Sequence, residues 1–146
     1  MVLDVLRLRA IVLGGRVRQP PFRDHVGFTD HWWGHTVRTD HDWLSLRSDD
    51  TEVARAKIMP GSHVGEYYGA IAPPQGWTEI DRLEVRGDLR LRGVGRAAVQ
   101  AIAAEYPSTR LAALSEDADG FWSSLSWAAH RHRIDGPAYR TLFLSD

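Results

Sequence analysis

The sequence predicts a mixed α+β domain, with a mostly antiparallel central sheet flanked by helices. Three observations lead to this fold class. Short runs rich in Val, Leu and Ile, several with two-residue alternation, recur along the chain as strands require. Only two segments, "GVGRAAVQAIAAEY" (93–106) and "DADGFWSSLSWAAH" (117–130), space their apolar residues as helices do. The resulting order, β, irregular, β-β-β-α-β-α-β-β, sets helices on a mostly antiparallel sheet.

Residues 2–13 alternate and read as a first strand. Residues 19–42, "QPPFRDHVGFTDHWWGHTVRTDHD", are the least regular part, with room for one or two short helices. "WLSLRS" (43–48) and "EVARAKIM" (52–59) are strands joined at the turn residues Asp49 and Asp50. A Gly/Pro-rich loop follows, "PGSHVGEYYGAIAPPQG", and loops of that length are usually functional or mobile. "WTEIDRLEV" (77–85) is a strand, and the helix over 93–106 repeats Val94, Ala98, Ala101 and Ile102 on one face. "TRLAALS" (109–115) is a short buried strand. The helix expected over 117–130 opens on capping residues and aligns Phe121, Leu125 and Ala128. "HRHRI" (130–134) and "YRTLFL" (139–144) close the chain as strands, all within a single domain over residues 1–146.

Composition narrows the function classes. With 146 residues, 43% of them hydrophobic, the chain can bury a real core. A net charge of −1 supplies no basic field, which argues against nucleic acid as a partner. Lys57 is the only lysine, so 17 of the 18 basic residues are arginine, a bias that fits GC-rich coding as well as anion binding. The absence of cysteine excludes disulfides, thiolate metal sites and a cysteine nucleophile. Asp4, Arg7 and Arg9 interrupt the apolar N-terminus, so neither a signal peptide nor a membrane span is expected and the protein is read as cytoplasmic.

The chemistry concentrates in "RLRGVGRAAV" (90–99). A P-loop would need G-x-x-x-x-G-K-(S/T), which the chain lacks. A dinucleotide-binding turn is matched by Gly93, Gly95 and Ala98, with Glu116 downstream. However, "RGDLRLR" separates that turn from its strand, and only 30 residues follow Glu116, too few for the remaining units. A third device fits better. Arg90, Gly93 and Gly95 fill (Q/R)-x-x-G-x-(G/A) between a strand and a helix, with Arg96 next. In this the chain resembles the GCN5-related N-acetyltransferase (GNAT) family. Physics agrees independently: backbone N–H groups from Leu91 to Arg96 at a helix start form an anion cradle, and Arg90, Arg92 and Arg96 add charge-assisted bonds. A second block, "ADGFWSSLSW", resembles the family's A-x-x-(F/L)-Y-x-x-x-G-F, with Ala118, Phe121, Trp122, Ser126 and Trp127 in the matching places. The resemblance covers residues 77–146.

The resemblance implies a GNAT-like acyl-CoA N-acyltransferase fold, acetyl-CoA as acyl donor, no metal, and a primary amine of a small molecule or peptide as acceptor. It places the pantetheine arm along Leu83 and Val85, the diphosphate on Arg90, Leu91, Arg92, Gly93, Val94, Gly95 and Arg96, and further cofactor contacts on Trp122 and Ser123. Glu79, eleven residues before Arg90 as in histone-type members, becomes the candidate base. In a strand it shares a face with Asp81, Leu83 and Val85, whereas Glu84, the second choice, faces the other way. The general acid stays open, because Trp122 replaces the family tyrosine and an indole is no useful acid; Ser123, Tyr67, Tyr68, Tyr139 and water are the alternatives. Trp32, Trp33 and His35, beside His31, form one expected wall of the acceptor site, and Tyr67 and Tyr68, with Glu66, the other. His130 and His132 in "HRH" invite a metal reading, but no carboxylate stands at a recognised spacing. The alternatives to catalysis on small amines are a non-catalytic acyl-CoA sensor and an aminoacyl-tRNA-acetylating toxin, the latter disfavoured by the charge. A homodimer stays open, and no membrane partner is expected.

Overall fold

The computed structural model describes residues 1–29 and 41–146. Nine strands are named: β1 (Asp4–Leu8), β2 (Ile11–Leu13), β3 (Arg16–Gln19), β4 (Asp42–Ser48), β5 (Thr51–Ser62), β6 (Trp77–Val85), β7 (Leu111–Leu114), β8 (Ala128–His130) and β9 (Leu142–Leu144). Among the described residues two α-helices, α1 (Val94–Glu105) and α2 (Asp119–Ser124), accompany them. Seven strands form one sheet in the order β1-β4-β5-β6-β7-β9-β8, and β2 pairs with β3 in a separate hairpin. The pairings β1–β4, β4–β5, β7–β9 and β8–β9 are antiparallel and β6–β7 is parallel, so the sheet is mostly antiparallel as expected.

By internal packing the chain divides into two units, Met1–Ile58 with Arg82–Ile102, and Met59–Asp81 with Ala103–Asp146. In the first, the β4–β5 hairpin closes at Asp49 and Asp50, whose φ angles of 48° and 63° are those of a two-residue type I′ turn. Leu44, Leu46, Ala54, Ala56 and Ile58 are buried along it. Helix α1 buries Val94, Ala97, Ala98, Val99 and Ile102; of the expected stripe, Val94, Ala98 and Ile102 are buried and Ala101 is half-buried. Ile102 alone, fully buried, is worth about 1.5–3 kcal/mol.

Arg55 is buried on β5. Its guanidinium lies 4.9 Å from the Phe22 ring centroid and 4.2 Å from that of Phe28, and it donates to Glu52 at 2.8 Å and to the Arg23 carbonyl at 2.6 Å. One buried cation thus satisfies its charge and fastens the 22–28 segment to the sheet.

In the second unit, Trp77, Ala112, Leu142 and Leu144 form a buried cluster. Val64, Tyr68, Ala70, Ala72 and Leu114 pack against it, so the Gly/Pro-rich loop supplies part of this unit's core. That loop carries a 3-10 turn, Glu66–Tyr68, which Gly69 ends at φ 73°.

Several elements differ from the sequence expectation. The strand expected over 2–13 is two strands in two sheets, broken at Arg9 and Ala10. Strand β5 runs three residues beyond 59, through Pro60 and Gly61 to Ser62. The helix expected over 117–130 stops at Ser124, and Ala128–His130 pairs with β9 instead. Gly120 and three nearby serines are weak helix formers, and Ser126 takes a left-handed φ of 63°, which ends the helix. The strand expected over 130–134 reduces to His130 and an isolated bridge between His132 and Gly136. Among the described residues, no helix is long and apolar enough to cross a membrane.

Candidate active site

The glycine loop belongs to the first unit. Strand β6 ends at Val85, and a 3-10 turn, Gly87–Leu89, leads into the loop. The turn is anchored by the bidentate pair of Arg86 with Asp88, at 2.7 and 3.2 Å. The Arg86 amide also donates to the Val53 carbonyl at 2.9 Å. The hydrogen bond from Arg86 pulls the Asp88 carboxyl below its ordinary range, with Arg92 a minor contributor. Arg90 is extended, with φ −64° and ψ 152°, Leu91 turns left-handed at φ 61°, and Gly93 does so again at φ 80°. The Ala97 amide then donates to the Gly93 carbonyl at 3.1 Å, making Gly93 the cap of α1.

This geometry has a chemical consequence. The first amides of an α-helix have no partner within the helix and point outward from its start. An ideal Cβ on Gly93 would meet no atom within 4 Å, so the space over the loop is open. Leu91 is fully exposed in a conformation that costs a leucine roughly 1–2 kcal/mol. Arg90, Arg92 and Arg96 are all exposed. Arg90 and Arg92 form no ion pair or side-chain hydrogen bond among the described residues. Outward amides and exposed guanidinium groups outside any ion pair are suited to bind an anion with several oxygens, such as a diphosphate. Leu83 and Val85, on the strand leading to the loop, are half-buried.

Glu84, the second choice for a base, is engaged in hydrogen bonds. Its two oxygens each accept a hydrogen bond from Thr29, one from the amide and one from Oγ1, both at 2.6 Å. Arg82 donates to the same Thr29 Oγ1 at 2.6 Å and lies 3.4 Å from Glu84. Together with the bond from the Gly87 amide to the Gly27 carbonyl at 2.9 Å, this fastens residues 27–29 to the end of β6. Trp32, Trp33 and His35, with His31, lie outside the described residues.

The second unit holds Glu79, buried on β6 at 7% exposure. Its neighbour on β7 is Ala112, and Thr78 pairs with Leu111. Asp81, two residues on, is exposed. A carboxylate in that setting is largely shielded from bulk water.

On α2, Trp122 is buried, with its ring centroid 4.9 Å from that of Phe121 and 5.1 Å from that of Trp127. Its indole is held as an aromatic anchor, while Ser123 is exposed. Ser126, standing in the family's glycine place, adopts the left-handed conformation for which glycine is the natural choice.

Tyr67 and Tyr68 meet a residue whose role the sequence did not reveal. The His132 ring stacks between Tyr67 and Tyr139, at centroid distances of 5.8 and 4.3 Å, with Tyr68 edge-on at 5.2 Å. His132 Nδ1 accepts from the amides of Ile134 and Asp135 at 3.3 and 3.2 Å, which turns this nitrogen to structural use. The Tyr68 hydroxyl donates to the Arg140 carbonyl at 2.8 Å, and burial raises its pKa above the usual value, both against its serving as the acid. The signal for this cluster was present in "HRH" and "EYY", but nothing local joins residues 65 positions apart.

No family model matches the chain, and no curated protein does. Solved structures do. The Bacillus subtilis N-acetyltransferase YlbP, in complex with coenzyme A, superposes with a TM-score of 0.54 at 17% identity, over 70% of this chain and 66% of that one. An acetyltransferase from Thermus thermophilus gives 0.56 at 20% identity, over 75% and 66%. A histone acetyltransferase HPA2 and related acetyltransferase from Corynebacterium glutamicum gives 0.50 at 14% identity, over 73% and 64%. The chain therefore spans just under two thirds of the length of each of these neighbours. Its mostly antiparallel seven-stranded sheet, with the glycine loop between β6 and α1, has the fold of the GCN5-related N-acetyltransferases.

Proposed function

We propose that the chain is an acetyl-CoA-dependent N-acetyltransferase acting on a primary amine of a small molecule or peptide. The observation that carries this reading is the loop at Arg90–Arg96. Two arginines without ion partners among the described residues and the open face of Gly93 stand at the start of α1, in a fold shared with an N-acetyltransferase solved with coenzyme A. The loop would hold the diphosphate of the cofactor, and the backbone of Leu83 and Val85 its pantetheine arm. Trp122 would contribute as a rigid aromatic support and Ser123 as an exposed hydroxyl on α2.

When bound, acetyl-CoA supplies a thioester whose carbonyl carbon the amine attacks. The new C–N bond forms, the C–S bond breaks, and the thiolate leaves with the bonding pair. The amine's proton passes to Glu79, directly or through a water. An alkylamine is only about 0.1% neutral at pH 7, so removing that proton is where a buried carboxylate contributes most.

Thermal shift and calorimetric titration with acetyl-CoA, followed by a thiol-release assay against an amine panel, test the reading. A ligand at 100 times its Kd should add about 2.7 kcal/mol of stability. A shift with NAD(P)H and none with acetyl-CoA would overturn it. A second reading, a non-catalytic acyl-CoA sensor, is favoured by one observation, the burial of Trp122 where the family carries its tyrosine. Binding of acetyl-CoA without thiol release for any amine would select it.

A further inference from the structure

The second unit contains an open cleft of about 900 Å³ that no step above uses. One wall is the turn from β7 into α2, with Glu116, Asp117 and Asp119; the other is the segment between β8 and β9, with Arg131, Tyr139 and Arg140. Both walls are held in place. The Ser115 amide donates to the Thr141 carbonyl at 2.9 Å, and the Ala138 amide to the Asp135 carbonyl at 2.8 Å. The stack of His132 on Tyr139 and the two amide bonds to His132 Nδ1 fix the course of the second wall. Such a cleft is built before a ligand arrives, which lowers the ordering cost of binding.

Its charges are unevenly spent. Arg140 pairs with Glu116 at 3.0 Å, and the two neutralise each other. Arg131, Asp117 and Asp119 are exposed, and their side chains form no ion pair or hydrogen bond among the described residues. What remains to a ligand is therefore one guanidinium and two carboxylates. A cofactor bearing several phosphates is a poor match for that set. The complementary solute carries one carboxylate and two ammonium groups.

We propose that this cleft binds a dipolar diamine of the diamino-acid class, with its carboxylate on Arg131 and its ammonium groups on Asp117 and Asp119. Binding stands on the cleft alone. That the bound amine is then acetylated rests on the function proposed above.

Calorimetric titration of the full chain, without coenzyme A, with L-lysine, cadaverine and 6-aminohexanoate tests the proposal. Cadaverine lacks the carboxylate, and 6-aminohexanoate lacks one ammonium group. Lysine should bind about 10-fold more tightly than either, the usual effect of one charge-assisted contact. Arg131→Ala should bring lysine to the level of cadaverine, and Arg131→Glu should make cadaverine the preferred ligand. Asp117→Asn or Asp119→Asn alone should bring lysine to the level of 6-aminohexanoate, and the two together should take it below that level. Equal affinity for the three probes, silence of both Arg131 variants, or displacement of lysine by coenzyme A would overturn the site. The expected binding pattern without acetylation of lysine would overturn its acceptor role and the acetyl-transfer reading for this amine class, leaving the site intact. Acetylation of simple amines with the cleft variants silent would do the reverse.

Discussion

Glu84 and Thr29, 55 residues apart, are joined by two hydrogen bonds of 2.6 Å, one from the threonine amide and one from its hydroxyl. The pair ties the chain entering residue 30 to the strand that leads to the glycine loop. Hydrogen bonds to a charged group contribute about 1.5–3 kcal/mol each, and removing one partner leaves the other without its mate. Glu84→Gln keeps the shape and is expected to lower stability by roughly 1–2 kcal/mol in urea unfolding, with Thr29→Val at least as costly. Unchanged stability in both variants would mean that the clasp is not formed in solution.

Glu79 has the opposite profile. As the proposed base it should matter for rate more than for binding. Glu79→Gln should reduce turnover by roughly 10²–10³-fold while leaving the Kd for acetyl-CoA near its original value. The loss should shrink as pH rises, because more of the amine is then neutral without help. Asp81→Asn, at an exposed position on the same strand, should be silent. A Glu79→Gln enzyme with ordinary turnover at every pH would assign proton removal to water.

Arg90 and Arg92 separate binding from folding. Neither has an ion partner among the described residues, so replacing both by alanine should change stability by no more than about 0.5 kcal/mol. Affinity for acetyl-CoA should fall roughly 10- to 100-fold, and its dependence on salt should flatten. Titrations at two ionic strengths measure both effects. Undiminished affinity would remove the loop from the cofactor site.

Ser126 carries backbone strain at φ 63° that a glycine would not. Ser126→Gly should raise stability by about 0.5 kcal/mol, the relief of strain being partly offset by the freer unfolded chain. Ser126→Val should lower it by about 1–2 kcal/mol, since a β-branched residue resists that conformation. Thermal melts of the two variants should therefore move in opposite directions.

Tyr68 supplies a pH signature. Its pKa is raised, chiefly by burial, with the Arg140 charge opposing and Tyr139 adding to the rise. A raised value means that the protonated phenol is the form favoured by the fold. This contribution is fully present below the ordinary tyrosine range near 10 and is lost as pH climbs through the raised value. Spectrophotometric titration of the phenolates should show a late-ionising tyrosine that Tyr68→Phe removes. A Tyr68→Phe curve missing an early-ionising group instead would contradict the burial.

What the sequence determined by itself is whatever depends on neighbours along the chain. The strand at 77–85 and the helix beginning beside Gly93 follow from period and punctuation, and each appears within a residue of its expected place. The Asp49–Asp50 turn follows from residues that tolerate positive φ, and the glycine loop from a spacing that only a helix start beside a strand requires. Pattern failed where tertiary pairing outbid local preference. Residues 128–130 carry helical spacing, yet they pair with β9, because a strand edge offered hydrogen bonds that a serine-rich helix end could not match. The site divides along the same line. The turn at Gly93 and the helix start beside it were legible because they are local. The Thr29–Glu84 clasp, the His132 stack and the Arg131 cleft each join side chains brought together only by folding, and no periodicity records them. Periodicity reports which face of an element is buried, and the tertiary structure alone decides what that face meets.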